Sequence, residues 1–223
     1  MHVAKLDIEG NSLVGLYMVA LQDVVFVAPS VSDEQRKTIA EVFSAEVKEL
    51  TIAGTGLLGV FAASNGHELF VPSILFDHEE QALKDSGVDF HIIQTKQTCL
   101  GNNIVATKKG ALIAPGFSPE VKKVLESLLG TVEEAMLHEA TTIGSYIVCN
   151  DTHGLASYEF SDEQLDHFEQ LLGVKLDTGT VNLGATQISS GIATNNNGFI
   201  IGQQSGGPEV VHADFALGFV EDE

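Results

Sequence analysis

Basic residues are scarce in this sequence. Lys and Arg number 11 against 31 Asp and Glu, a formal net charge of −20 over 223 residues. A smooth acidic surface repels phosphate, which argues against indiscriminate binding to nucleic acid. Two compatible readings of the carboxylates stay open: solubility in a salty cytoplasm, or attraction of a basic protein partner. Cysteine is nearly absent as well. Cys99 and Cys149 do not make a disulfide framework, and they suit a reduced cytosolic compartment. No apolar run approaches the roughly 20 residues that a membrane helix requires. Asp7 and Glu9 interrupt the stretch where an export signal would be apolar, so a cytoplasmic protein is expected. Hydrophobic residues form 44% of the chain, enough for a sizeable core.

Charge is also missing locally. From Thr178 to Pro208 there is no Asp, Glu, Lys or Arg, and shorter uncharged stretches run from Thr51 to Asn65, Thr98 to Thr107 and Ala140 to Asn150. One reading is geometric: where units converge on an axis, small neutral residues fit and an unpaired charge is costly to desolvate. The other is a contact face whose amides and hydroxyls hydrogen-bond to RNA or to a protein backbone. Turns at one end of a ring are both crowded and exposed, so both readings can hold.

What is present is a repeat. Five copies of one pattern run through the chain: a small residue, an apolar strand, a tight turn, a second apolar strand, then an acidic helix. The copies start at Gly15, Gly59, Gly101, Gly144 and near Ser189, a period of about 43 residues. Their turns are placed at Asn65-Gly66, Lys108-Lys109-Gly110, Gly154 and Asn197-Gly198, and the first copy closes at Pro29. Helix starts are marked by the capping boxes Ser32-Asp33-Glu34-Gln35 and Ser161-Asp162-Glu163-Gln164, and by Ser118-Pro119-Glu120. Further helices follow Asp77, ending near Gly87, and Pro208-Glu209. With an extended segment after each of the first four helices, the unit reads strand–turn–strand–helix–strand. No unit of this size buries its apolar face alone, so residues 1–223 are expected to form one domain of five repeats, and a closed ring with pseudo-five-fold symmetry is favoured over its rival, a linear solenoid, because no polar capping unit stands at either end. Closure removes exposed sheet edges.

The features that resemble catalytic or cofactor motifs do not hold together. Gly54-Thr55-Gly56-Leu57-Leu58-Gly59 matches a dinucleotide fingerprint, yet strand and hairpin are expected after it where a helix is required. None of the eight histidines has metalloprotease or metal-finger spacing. Solvated or capping roles are expected for them, and buried structural roles for Cys99 and Cys149.

Four segments fall in order at the unit boundaries: Ala53-Gly54 with Leu57-Leu58-Gly59, Leu100-Gly101-Asn102, Thr142-Ile143-Gly144-Ser145, and Gly179-Thr180-Val181-Asn182. On these the chain resembles the archaeal translation initiation factor 6 family over nearly its whole length, ending about where archaeal members end. Ser189-Ser190 departs from the pattern, standing where the other units carry glycine. The resemblance implies the pentein ring, a five-bladed α/β propeller. It implies a monomer without enzymatic activity or cofactor, making no contact with membrane or DNA. It implies binding to the large ribosomal subunit on its intersubunit face, against a basic ribosomal protein with ribosomal RNA nearby, blocking premature subunit joining and taking part in large-subunit biogenesis. The expected contact residues are the uncharged turns at one end of the ring: Thr55, Gly56, Leu57, Asn102, Ser145, Asn182 and Gly184. Two alternatives are a guanidine-modifying pentein hydrolase or transferase, which needs a late Cys where the last one here is Cys149, and a five-unit scaffold with another partner.

Overall fold

The structure, a computed structural model, describes residues 1–220. Five three-stranded sheets form five blades. In the first blade, β2 (Met18–Ala20) pairs antiparallel with β3 (Val24–Val27), helix α1 (Asp33–Phe43) follows, and β4 (Glu46–Glu49) returns parallel to β3. The second blade repeats this with β5 (Ala63–Ser64), β6 (Leu69–Pro72), α2 (Asp77–Ser86) and β7 (Phe90–Ile93). The third has β8 (Ile104–Ala106), β9 (Gly110–Ile113), α3 (Pro119–Leu129) and β10 (Thr131–Glu134). The fourth has β11 (Ile147–Cys149), β12 (His153–Ser157), α4 (Asp162–Leu172) and β13 (Lys175–Gly179). The fifth has β14 (Ile192–Thr194), β15 (Phe199–Gly202) and α5 (Gly207–Ala216), and takes its outer strand from the other end of the chain. That strand is β1 (Val3–Leu6), parallel to β15. It fastens the first residues to the last repeat and closes the ring.

The middle strands are buried at nearly every position because a neighbouring blade covers each side. Alternation along β3 sends Val25 and Val27 into a cluster with Ile200 and Ala193 of the fifth blade, and Val24 and Phe26 into one with Leu58 and Leu69 of the second. Three more clusters fill the remaining junctions. The core is thus five apolar wedges between blades, and no blade has a core of its own.

Polar side chains join the blades where the wedges end. The hairpin turn of one blade caps the helix C-terminus of the next, whose last carbonyls lack intrahelical partners. Thr107 donates to the Leu172 carbonyl (2.6 Å), Asn150 to Leu217 (2.9 Å) and Asn195 to Phe43 (3.0 Å). At this end of the axis the five turns also form a hydrogen-bonded circuit. Gln22 N–H donates to the Gly66 carbonyl, His67 and Lys108 both reach the Asp151 carboxylate, Asp151 N–H donates to Asn196, and Asn196 N–H donates to Gln22. Between the two ends lies a central cavity of about 130 Å³, lined by the inner strands of all five blades.

Three local readings are corrected. The stretches before the inner strands are single helical turns, Val14–Tyr17, Leu58–Phe61, Leu100–Asn103, Ile143–Ser145 and Ile188–Gly191, where strand is expected from Gly59 onward. The reason is crowding: a Cβ on Gly59 would fall on the Gly15 carbonyl oxygen, and one on Gly101 on that of Gly59. A helical turn packs four residues into about 6 Å of rise and lets neighbouring backbones touch. The fourth hairpin turns at Asn150-Asp151-Thr152, whose backbone the Asn150 side chain closes. Gly154 lies inside β12, pressed against Cys149 and Val148. Finally, α5 extends to Ala216, beyond the brief helix read from the sequence.

Asn195 is 4% exposed and its amide donates to carbonyls of the first blade. Asn195→Ala is expected to destabilise the ring by roughly 1–3 kcal/mol, because it removes an amide donor to the first blade and the side-chain oxygen that accepts from the Asn197 and Gly198 N–H groups. The check is the denaturant midpoint at constant slope; an unchanged midpoint contradicts this junction.

Candidate functional site

Opposite the hairpin turns is the end of the ring where the outer strands finish and the axial helical turns begin. Four of the five connections there fold back in tight turns, bridging Ile8 with Asn11, Ile52 with Thr55, Leu137 with Ala140, and Val181 with Ala185. All seven sequence-predicted contact residues come to this end. Thr55 closes its turn with paired backbone bonds to Ile52, and its hydroxyl accepts from Leu57 N–H. Gly56 packs against Ala28, where a Cβ would collide. Asn102 and Ser145 sit half-buried in the axial turns of the third and fourth blades. Asn182 is committed internally: its amide donates to the Ser12 carbonyl (2.9 Å), and its N–H to the Ser205 hydroxyl (2.9 Å). Gly184, exposed and at φ 98°, completes that turn.

Two carboxylates, the buried Glu79 and the half-buried Glu209, hold two of these turns in nearly the same way. Glu79, third residue of α2 and 1% exposed, accepts from Ala53 N–H (2.9 Å), Gly54 N–H (2.8 Å), Phe76 N–H (2.9 Å) and the Thr51 hydroxyl (2.7 Å). Glu209, third residue of α5, accepts from Leu183 N–H (3.1 Å), Gly184 N–H (2.9 Å), Gly206 N–H (2.7 Å) and the Thr180 hydroxyl (2.7 Å). Within these two turns Ala53, Asn182 and Leu183 have left-handed backbone, with φ of 52°, 50° and 64°. Burial works to raise both carboxyl pKa values, and the donors outweigh it: both lie below the usual carboxylate range. The sequence shows these glutamates as helix caps; their reach across to the turns is a tertiary fact that the Thr51 and Thr180 spacings only hint at.

Two exposed apolar side chains on this end were not found by reading the sequence. Phe76 occupies the N-cap of α2, where Ser32, Ser118 and Ser161 cap three of the other helices through their hydroxyls. Its ring lies over Gly54 and beside His78, yet it remains 52% exposed. Leu183 is 76% exposed in the left-handed region. A non-capping residue at an N-cap costs about 1 kcal/mol, and a leucine at positive φ roughly another. Ile74 and Leu57 are further partly exposed apolar side chains at this end.

The enzyme-like features are accounted for structurally. The fingerprint glycines run into the one-turn helix Leu58–Phe61, and Gly59 is pressed against Gly15, which leaves no room for a pyrophosphate. Cys149 borders the central cavity, but burial pushes its thiol up to about 12, far from a nucleophile's range. His67, His91, His2 and His167 each pair with a carboxylate. No group of His, Cys, Asp and Glu able to hold a metal occurs among the described residues, and no helix there is long and apolar enough to cross a membrane.

The five-bladed α/β ring places the chain in the pentein fold class. It is similar in fold to the N-terminal domain of ArgZ, an arginine dihydrolase from the ornithine–ammonia cycle in cyanobacteria. The TM-score is 0.53 at 12% identity, covering 80% of this chain and 73% of that one. DDAH from Pseudomonas aeruginosa, complexed with citrulline, gives 0.50 at 13% identity, covering 74% and 68%. These likenesses concern fold alone. In sequence, the profile of the eIF-6 family matches residues 3–214. Proteins named Translation initiation factor 6 are 32% identical in Thermococcus onnurineus and in Pyrococcus abyssi, each over 99% of this chain and all of the relative. The one from Saccharolobus solfataricus is 32% identical over 98% of this chain and all of the relative. The chain belongs to the eIF-6 family, whose named members are initiation factors and not enzymes.

The carboxylate-held turns set an acid limit. Because the folded pKa of Glu79 lies below its ordinary 4.5, the stability it contributes is complete above that value and is lost as pH falls through the folded pKa. Glu79→Gln is expected to lower the melting temperature at pH 7 and to flatten its decline between about pH 5 and pH 3. A variant as stable as the parent at pH 7, with the same acid decline, contradicts the assignment.

Proposed function

We propose that this chain binds the large ribosomal subunit on the face that meets the small subunit, and by standing there prevents premature joining. The same binding gives it a part in large-subunit maturation. The observation that carries this reading is the eIF-6 match over residues 3–214, which spans the boundary segments that gather at the axial-turn end of the ring. The chemistry of that end supports it. Two of its turns, Ile52 to Thr55 and Val181 to Ala185, carry no charged residue in a chain of net charge −20, which leaves neutral backbone and side-chain groups for the contact there. Its conformation is fixed before binding by Glu79, Glu209 and Asn182, which limits the ordering cost of association. Blocking is steric: the ring occupies the surface that a small subunit would use, so neither a catalytic group nor a cofactor enters the account.

The experiment is co-sedimentation of the purified protein with isolated subunits, followed by subunit-joining assays. Binding to the large subunit alone, and a falling yield of joined particles as protein is added, are expected. Equal co-sedimentation with both subunits contradicts the reading. Within the face, Asn102→Glu and Gly184→Glu are expected each to weaken binding by roughly 1–3 kcal/mol through an unpaired buried charge or polar group. If both folded variants bind normally, the contact lies elsewhere on the ring.

A further inference from the structure

In a ring of this kind the outermost strand of each blade keeps one edge free, and such edges are ordinarily short and protected by charge. Strands β1, β4, β10 and β13 each carry at least one Lys, Asp or Glu. On β13, side chains also take up the free backbone groups: Glu169 receives the Leu176 N–H (2.7 Å), and His212 donates to the Thr178 carbonyl (2.6 Å). The outer strand of the second blade, β7, is the exception. Its residues Phe90-His91-Ile92-Ile93 include no Lys, Arg, Asp or Glu. Its parallel register on β6, with the Leu69 N–H on the Asp89 carbonyl, turns the backbone of His91 and Ile93 inward and that of Phe90 and Ile92 outward. The N–H and C=O groups of Phe90 and Ile92 have no partner among the described residues.

We infer that β7 is a docking edge, and that its occupant is an extended segment of a partner protein in which apolar and basic residues alternate. Such a segment adds a fourth strand to the second blade. Main-chain hydrogen bonds to Phe90 and Ile92 hold it, and the side chains of alternate residues select it. The two faces of β7 define the alternation. On one, Phe90 and Ile92 rest against the cluster of Leu69, Val71 and Leu83 and stay half-buried, so apolar side chains fit beside them. On the other are His91, stacked on Phe70 and paired with Glu68 (3.2 Å), and the exposed Asp89 just before the strand. Carboxylates on that face complement basic side chains. Charge argues against a second copy of this chain as the occupant, since two rings of net charge −20 repel each other. The edge lies on the rim and at neither end of the axis, so the inference does not depend on the large-subunit reading.

The test is binding of a synthetic peptide of about nine residues, alternating valine and lysine, to the full chain. Hydrogen exchange at the Phe90 and Ile92 amides is expected to slow about tenfold or more, and to stay unchanged on β1, β4 and β10. N-methylation of the valines and of the lysines, in separate peptides, removes one or the other row of N–H groups. One of the two methylated peptides, and a valine–glutamate peptide, are expected to bind about tenfold more weakly or worse. Ile92→Pro removes an outward N–H of the kind edge strands do without, and Asp89→Lys reverses the exposed charge. Each folded variant is expected to lose affinity by a similar factor. Unweakened binding of both methylated peptides, or unchanged exchange at Phe90 and Ile92, overturns the inference. Equal binding of the valine–glutamate peptide overturns the basic occupant. A parent that sediments as a dimer, dissociated by Ile92→Pro, replaces the partner segment with a second copy. If Ile92→Pro does not fold, the methylated peptides and the exchange pattern decide alone.

Discussion

At the ring axis, the carbonyl oxygen of Gly15 occupies the space where a side chain on Gly59 would begin. Gly59 does the same to Gly101, and Gly101 to Gly144. Backbone therefore rests on backbone at these three junctions, and at a fourth the Ser189 carbonyl brings the fifth blade against Gly15. The radius of the ring follows from this contact. So do the helical turns that precede the inner strands, since only a coiled backbone presents carbonyls to a neighbour at that range. The blades then diverge outward, and the wedges between them fill with side chains from both partners. Since every apolar cluster is shared, stability belongs to the closed ring, and β1 on β15 is the closure on which the first and last wedges depend.

The two ends of the axis serve different purposes. At the hairpin end, polar groups are spent on each other: Asp151, His67, Lys108, Asn196 and Gln22 link all five turns, and asparagines cap the helices of neighbouring blades. At the axial-turn end, the polar groups face inward to hold left-handed turns, and apolar side chains are left outside. A face whose shape is maintained by the Glu79 and Glu209 carboxylates, and which leaves apolar side chains outside, suits recognition by a preformed partner.

Much of this architecture is written in local chemistry. The serine caps at Ser32, Ser118 and Ser161 carry their own signal, as does the left-handed Gly173 that ends α4, so the helices are legible residue by residue. The 43-residue period, approximately, identifies the blades. What the sequence conceals depends on neighbours distant along the chain. Gly154 resembles a turn residue, but its lack of a side chain serves close packing inside β12, while Asn150 makes the turn. The fingerprint at Gly54 to Gly59 combines a left-handed turn at Gly54, packing of Gly56 on Ala28 and axial crowding at Gly59. The missing strand of the fifth blade comes from the N-terminus, which no local pattern announces. In the candidate site, the glycines and asparagines of the boundary turns stand out, but Phe76 and Leu183 look like ordinary apolar residues until their backbone setting and exposure are known.

The axial-turn end is the proposed working face of this eIF-6 family member. Hydroxyl-radical footprinting of the protein, free and bound to large subunits, tests it most directly. Protection is predicted at Leu57, Phe76 and Leu183, with the hairpin end at Lys108, Lys109 and Asn196 remaining as reactive as in the free ring. Protection at the hairpin end, with the axial-turn residues unchanged, would contradict it.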